Sequence, residues 1–552
     1  MPRDLLYLTA LTLLGCVADP AGAKPDPGDG TAIQPCAAPV PDGPARFVEE
    51  GEARGLRFDR PAFWGDYTSF DAGLVLNDLD ADGDVDVALG RVEGAPDLFT
   101  NDGTGHFTRA SLAFPDVLDR FPAVLSTGAT DLDGDGLPEL LMVGIGGIMI
   151  AKNLGEMRFE APETTWLHPG THVPFYPSYA LGELDHDDDL DLVLPGIDWL
   201  PVDLGEPTDA SLDQVGSPVQ LLINQGTRFE TGPGLTPDGT AGYSMYAVVT
   251  DRNEDGRVEL IVSSVKLDFL DRSATQAVYR EQDGVWYNEA LALHLNLSVS
   301  GMGGDVIDLD HDGRLDYCIS DTGPVKCFVA SGDDTYYDVG MALGMVPAGW
   351  ETGWRWSAWS IDVIDYDADG WYDMAIAAGS ERHPREFWPA WSSSFVPNPD
   401  PEQHHDALLW GDGEGAFTDR AAEIGFDLPG DHLGLASADL DGDGWPEIVM
   451  AQPGTGAHVW RNQCGSGGWI VVDPRGVPEN REAIGAVVTV RAGGIERKRQ
   501  ILALHGLAQG PSEAHFGLGD VDVIDEIEVL WPDGGVTRLQ DVPARQSVVV
   551  ER

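Results

Sequence analysis

The stretch Asp78-Leu79-Asp80-Ala81-Asp82-Gly83-Asp84-Val85-Asp86, which runs into the apolar Val87-Ala88-Leu89, decides the fold. Acidic side chains stand at positions 1, 3, 5 and 9 of a nine-residue loop, and glycine at position 6 allows a sharp turn. With a backbone carbonyl expected from position 7, here Asp84, the donor set is all oxygen and suits a hard cation the size of Ca²⁺. Mg²⁺ fits less well, because it takes fewer protein oxygens in strict octahedral geometry. An EF-hand would continue into a helix and carry a Glu at position 12. This loop is followed by a short apolar run and therefore joins two β-strands.

The pattern recurs six times, with starts 52 to 74 residues apart. The second loop offers Asp131, Asp133, Asp135, Leu137 through its carbonyl, and Glu139; the third Glu183, Asp185, Asp187, Asp189 and Asp191. The fourth has Asp251, Asn253, Asp255, Arg257 (carbonyl) and Glu259; the fifth Asp308, Asp310, Asp312, Arg314 (carbonyl) and Asp316. Asp365, Asp367, Asp369, Trp371 (carbonyl) and Asp373 form the sixth, and Asp439, Asp441, Asp443, Trp445 (carbonyl) and Glu447 the seventh. One Asp-rich turn is ordinary solvated turn chemistry. Seven at this period point to propeller blades or a similar array. Four converging carboxylates repel unless a cation sits among them, so up to seven Ca²⁺ ions are expected as part of the folded state. The third loop is the weakest of the set, with Glu183 at position 1 and Asp188 where glycine is expected.

A second repeated signal is the turn N/G-x-G-x-x-F, at Asn101 to Phe107, Asn153 to Phe159, Asn224 to Phe229 and Gly411 to Phe417. Glycine supplies the positive φ of such hairpins and the aromatic residue opens the next strand. The seventh repeat reaches Trp460-Arg461-Asn462-Gln463-Cys464 without a Phe-led strand, while Phe47 to Leu56 matches Phe417 to Phe426. One blade is thus expected to be split between the chain ends, with residues near Phe47 supplying its last strand and a Cys36–Cys464 disulfide locking the seam. Cys318 and Cys327 flank the turn Ser320 to Pro324 and are placed to pair across a hairpin.

Composition agrees. The 68 glycines and 38 prolines in 552 residues indicate many short strands and turns. A net charge of −60 excludes nucleic acid as a partner, since phosphate binding needs a Lys/Arg surface. The run Leu5 to Leu14 ends in Leu13-Leu14-Gly15-Cys16, similar to a bacterial lipoprotein signal with Cys16 as the lipidated residue; cleavage near Ala21 or Ala23 is the alternative. It is too short to span a bilayer as a helix, so a lipid anchor is the only membrane attachment expected.

The loops and hairpins resemble the FG-GAP/VCBS repeats of the integrin α-chain head. The tail, with Asn480-Arg-Glu-Ala-Ile-Gly485, Gly510-Pro-Ser-Glu-Ala-His515-Phe-Gly-Leu-Gly519 and Trp531-Pro-Asp-Gly534, resembles the ASPIC/UnbV domain of the cartilage acidic protein family. The expected organisation is a signal over 1–16, an extended tether over 17–44, a seven-bladed β-propeller over 45–463 and a small β domain over 464–552. The fold class is all-β. The resemblance implies bound calcium, no catalytic activity, and metal loops that are structural rather than the recognition surface. Arg491, Arg497, Lys498 and Arg499 make a basic patch in the tail, read either as a dock for the acidic propeller or as a solvated edge.

Trp388 and Trp391, in an aromatic and proline-rich insertion over 380–403, are the candidate partner-binding residues, with packing of a long loop as the competing reading. His404-His405-Asp406 invites a transition-metal reading, against which surface histidines are the plainer one. No nucleophile elbow or phosphate-binding glycine loop is present. The expected function is a surface-anchored, extracytoplasmic adhesion or binding module for a protein or glycan. The alternatives are a structural component of the cell envelope and an extracellular carbohydrate-active enzyme.

Overall fold

The acid at loop position 9 opens the second strand of its sheet in all seven repeats, and the residue before position 1 closes the first. The two pair directly: Asn77 with Asp86, Thr130 with Glu139, Gly182 with Asp191, Thr250 with Glu259, Ile307 with Asp316, Ile364 with Asp373 and Ala438 with Glu447. One register therefore serves seven sequences. The computed structural model describes residues 47–59, 73–92, 94–110, 123–167, 173–199, 219–226, 228–235, 244–264, 275–348, 350, 357–379 and 404–552.

Each loop lies in a four-stranded antiparallel unit. Unit 1 comprises Leu74–Asn77, Asp86–Leu89, Asp97–Asn101 and Phe107–Arg109; units 2 to 6 repeat this order from Val124, Ala180, Ser244, Gly304 and Ser357. Unit 7 takes Leu435–Ala438, Glu447–Gln452 and Gly456–Asn462, and its outer strand is Phe47–Glu49 from the other end of the chain, with Phe47 opposite Asn462. The second strands, such as Asp86–Leu89 and Glu139–Gly144, are buried throughout. A strand covered on both faces reads as a continuous apolar run. That is why Val87-Ala-Leu and Leu140-Leu-Met-Val follow the loops.

The units close a ring. In neighbouring units 4 and 5, Tyr336 donates its backbone N–H to the carbonyl of Leu293 at 3.0 Å, and in units 5 and 6 Phe417 donates to Leu343 at 2.7 Å. The same bond joins unit 1 to unit 7, from Phe107 to Arg54 at 2.8 Å. The molecule is a seven-bladed β-propeller closed at the split seventh blade.

Cys318 and Cys327 face each other across adjacent strands as a disulfide with Cα atoms 4.0 Å apart. Cys464 is also disulfide-bonded. Cys36, the partner expected for it, lies outside the described residues, as do Cys16 and the signal and tether segments.

The tail is woven into the propeller rather than set beside it. Its strands Val487–Ala492, Ile495–Gln500, Val523–Leu530 and Val536–Pro543 extend the sheet of unit 5 through the pairing of Ile307 with Arg499. Ala508–Gln509 runs parallel to the first strand of unit 1. Between these points the segment 498–510 meets first-strand residues around the ring. Gln509 bonds Ala129 at 2.8 Å and Tyr179 at 3.3 Å; Gln500 bonds Thr250 at 2.6 Å and Val249 at 2.9 Å. Tyr246 donates to Leu504, Asp308 N–H to Lys498, and Leu507 N–H to Ser360. The hub of the propeller is thus filled by its own tail, whose separate core is built from residues such as Ile470, Val488, Phe516, Ile527 and Trp531.

Candidate metal sites in the seven loops

The position-1 carboxylate organises each turn. Asp78 accepts from the amides of Ala81 and Asp82 through Oδ1 and of Gly83 through Oδ2, at 2.8, 3.1 and 3.0 Å. Asp131, Asp251, Asp308, Asp365 and Asp439 likewise each take the position-6 glycine N–H at 2.7 to 2.9 Å. Those glycines have φ between 81° and 98°, a left-handed geometry that favours glycine. In the third loop Asp188 adopts it instead, at φ 74°, with its N–H donated to Glu183. The departure from the pattern at Glu183 and Asp188 therefore changes the residues and keeps the turn.

Position 5 caps position 7: the amides of Asp84, Leu137, Arg314, Trp371 and Trp445 donate to Asp82, Asp135, Asp312, Asp369 and Asp443 at 2.9 to 3.1 Å. Asp187 receives Asp189 at 3.3 Å. At position 9, Asp86 accepts from Leu79 and Asn101, and Asp316 from Leu309 and Ala330, which ties the loop to the third strand.

Ligand-capable oxygens converge within 4.8 Å in Asp78/Asp80/Asp86, Asp131/Asp133/Glu139, Glu183/Asp185/Asp191 and Asp308/Asp310/Asp316. Among the described residues, several buried loop oxygens have no hydrogen-bond donor: Oδ1 of Asp80, Asp367 and Asp441 at position 3, Oδ1 of Asp189 at position 7, and Oε1 of Glu139 and Glu447 at position 9. Burial foremost, and then neighbouring carboxylates, push the acids upward, Asp86, Glu139, Asp316 and Asp439 to about 8 and Asp191 and Asp308 to about 7. Asp365, Asp373 and Glu447 are raised well above the carboxylate range for the same reasons. Orphaned oxygens converging in a buried, mutually repelling cluster fit a hard divalent cation by the chemistry of the donor set.

The fourth loop is arranged differently. Arg280 pairs with Asp255 and lies 3.4 Å from Glu259, whose other oxygen is 3.8 Å from Arg252. Asn253 donates to Asp255 at 3.3 Å. In the seventh loop the buried Arg54 reaches Asp441 at 3.1 Å and Glu447 at 4.0 Å.

The tail covers this end of the propeller. Lys498 Nζ donates to the carbonyl of Gly313 at 2.8 Å, Arg497 Nε to Gly370 at 3.0 Å and His515 Nε2 to Gly444 at 3.0 Å, so three successive loops are held at the same glycine. Arg499 bridges Asp305 and Asp362 at 3.2 and 3.3 Å. Of the basic patch, Arg497, Lys498 and Arg499 dock on the propeller, while Arg491 pairs within the tail with Glu496 and Glu526.

One sequence reading changes. His404 is buried rather than a surface residue, and Asp406 holds Nδ1 of the buried His432 at 2.8 Å. Trp359 is buried, whereas Trp388 and Trp391 lie outside the described residues. The asparagines of the hairpin turns have a role that periodicity does not reveal. Asn101, Asn153 and Asn462 each donate to the position-2 carbonyl of the preceding unit, Leu440, Leu79 and Tyr366, at 2.8 to 2.9 Å. Only the recurrence of Asn at one place in the repeat hinted at it.

The comparisons agree with this organisation. The family described as ASPIC and UnbV matches residues 476–552, and the FG-GAP-like repeat matches 131–194 and 395–450. No curated protein matches the chain in sequence. Similar solved structures include an Agrocybe aegerita lectin that recognises non-reducing terminal N-acetylglucosamine, 14% identical over 76% of this chain and 94% of that one, with a TM-score of 0.36. A BBS1N structure in complex with ARL6DN is 10% identical over 73% and 96%, with a TM-score of 0.41. The exotype rhamnogalacturonan lyase YesX is 13% identical over 86% and 90%, at 0.33. These scores carry no functional argument. FG-GAP-like repeats are typical of extracellular binding modules, and among the described residues no helix is long and apolar enough to cross a membrane. The chain joins FG-GAP-like repeats to a C-terminal ASPIC/UnbV domain.

Proposed function

We propose that the protein is an extracellular, calcium-loaded, non-catalytic binding module, anchored through a lipid on Cys16, that captures a protein or glycan. The observation that carries the calcium reading is the set of buried loop oxygens with no donor, repeated at positions 3 and 9 of loops that share one turn. Calcium would be held by the side chains at positions 1, 3, 5 and 9 and the carbonyl at position 7, and would supply charge neutralisation and a fixed turn. Because the tail covers the metal-loop end, recognition belongs to the opposite strand ends and the outer edges. In the hub, Arg499 neutralises the buried Asp305 and Asp362. Capture from envelope extracts with and without EGTA tests the reading. One partner retained only with calcium supports it, and no partner under either condition contradicts it.

A further inference from the structure

Ten large apolar side chains are exposed among the described residues, and five of them fall between Tyr287 and Met341. Tyr287 is 47% exposed, Leu291 74%, Tyr337 52% and Met341 55%; Leu297 flanks them at 40%. They occupy matching places in consecutive blades. Tyr287 and Tyr337 follow the buried aromatic residue of the outer strand, Trp286 and Tyr336, and Leu291 and Met341 lie four residues on, in the turn after it. At the same places unit 6 has Thr418 and Ala422, and unit 7 has Val48 and Glu52. The repeat therefore does not require apolar residues here, and units 4 and 5 have acquired them side by side.

The turn after the outer strand of unit 4 contacts the outer strand of unit 5. The turn carrying Leu291 is bonded to the outer strand of unit 5 through Tyr336 N–H and the Leu293 carbonyl at 3.0 Å. The His294 ring meets Tyr337 edge-on, with centroids 5.9 Å apart. His294 stands at φ 62°, where units 5, 6 and 7 have Gly344, Gly425 and Gly55 at φ 77°, 86° and 92°. A side chain is thus placed beside Tyr337 at a backbone position that otherwise favours glycine. Lys326 and Asp338, paired at 2.9 Å, supply polar groups at the edge.

We propose that this edge of units 4 and 5 binds a short neutral oligosaccharide, with Tyr287 and Tyr337 as stacking platforms. The inference rests on the binding-module reading and names its site and ligand class. Half-exposed side chains of this size present on the order of 400–500 Å², in the range of functional surface patches and below the roughly 800 Å² per partner of a stable protein interface. A charge of −60 opposes a second copy of the chain or an anionic lipid surface. A neutral ring with an apolar face matches two aromatic faces bordered by polar groups.

Isothermal titration of the full chain in calcium with neutral hexasaccharides of glucose, mannose, galactose and N-acetylglucosamine tests the site. At least one is expected to bind, and the double variant Tyr287→Ala/Tyr337→Ala is expected to weaken it at least tenfold without lowering the melting temperature. Leu154→Ser, at an exposed residue elsewhere, is the control and should bind as wild type. Unchanged affinity in the double variant overturns the site. Hexasaccharides that never bind, together with a calcium-dependent protein partner lost in the double variant, overturn the ligand class and leave the binding-module reading standing. Failure of that reading itself shows in the wild type, as no capture of any partner.

Discussion

Loops 1 and 4 share a backbone turn and a strand register, yet they meet the same electrostatic problem in different ways. In loop 1, Asp78, Asp80, Asp82 and Asp86 form no ion pair with a Lys or Arg among the described residues, and burial pushes Asp86 up to about 8. In loop 4, Asn253 replaces one acid while Arg252 and Arg280 approach Glu259, which burial raises to about 7 against the pull of the two guanidinium groups. The turn alone therefore does not dictate the counter-charge. Loop 4 carries counter-charge in its own side chains, whereas under the proposed function loop 1 would take it from a bound ion. Loop 4 should accordingly bind calcium most weakly and depend on it least.

Chelation should separate the two most strongly. Each occupied site adds about 2.7 kcal/mol at a calcium concentration 100 times its Kd, so EGTA should lower the melting temperature by well over 10 °C. Hydrogen exchange should rise at 78–86 far more than at 251–259. Equal exposure of both loops would break the contrast.

The next effect is the pH dependence of the calcium-free protein. Asp86, Glu139 and Asp316 have folded-state values near 8, above the unfolded carboxylate values near 4. A raised folded value means that stability is fully present below the unfolded value and lost as pH rises through the folded one. Calcium-free protein should therefore melt at a higher temperature at pH 5 than at pH 8.5. With saturating calcium the order should reverse, because the ion binds the deprotonated sites.

Single-site variants come next. Asp80→Ala removes the position-3 ligand in loop 1 and should cost one bound ion and about 2–3 kcal/mol in calcium. Asp251→Asn in loop 4 should cost measurably less calcium-linked stability. The smallest effect is expected for Arg280→Ala. It should destabilise the calcium-free protein by about 1–2 kcal/mol, through loss of a charge-assisted contact to Glu259, while strengthening calcium binding at loop 4. Denaturant melts with and without calcium give both signs, and a lower calcium affinity in the variant would refute the counter-charge role.

Much of the propeller was legible because its signals are local and repeated. Loop, apolar run and N/G-x-G hairpin recur at blade period, and the likeness of Phe47–Leu56 to Phe417–Phe426 exposed the split seventh blade. The candidate loops followed from spacing alone. The hub did not, because Gln500, Tyr246 and Gln509 make contacts more than 200 residues apart in sequence and follow no period. The arginines of loop 4 were also hidden: Arg252 falls at a loop position without a role in the metal pattern, and Arg280 belongs to the next strand but one. Lys498, Arg497 and Arg499 could be read only as a basic patch, since whether a charge is solvated or docked depends on what the fold places opposite it.

The most direct test of calcium as the counter-ion of these loops is a calcium titration of the native protein, read together by ion count in native mass spectrometry and by hydrogen exchange in each loop. The account predicts about six tightly held ions, with loop 1 protected at low calcium and loop 4 filling last. Retention of no ion, or protection of loops 1 and 4 at the same calcium concentration, would contradict it.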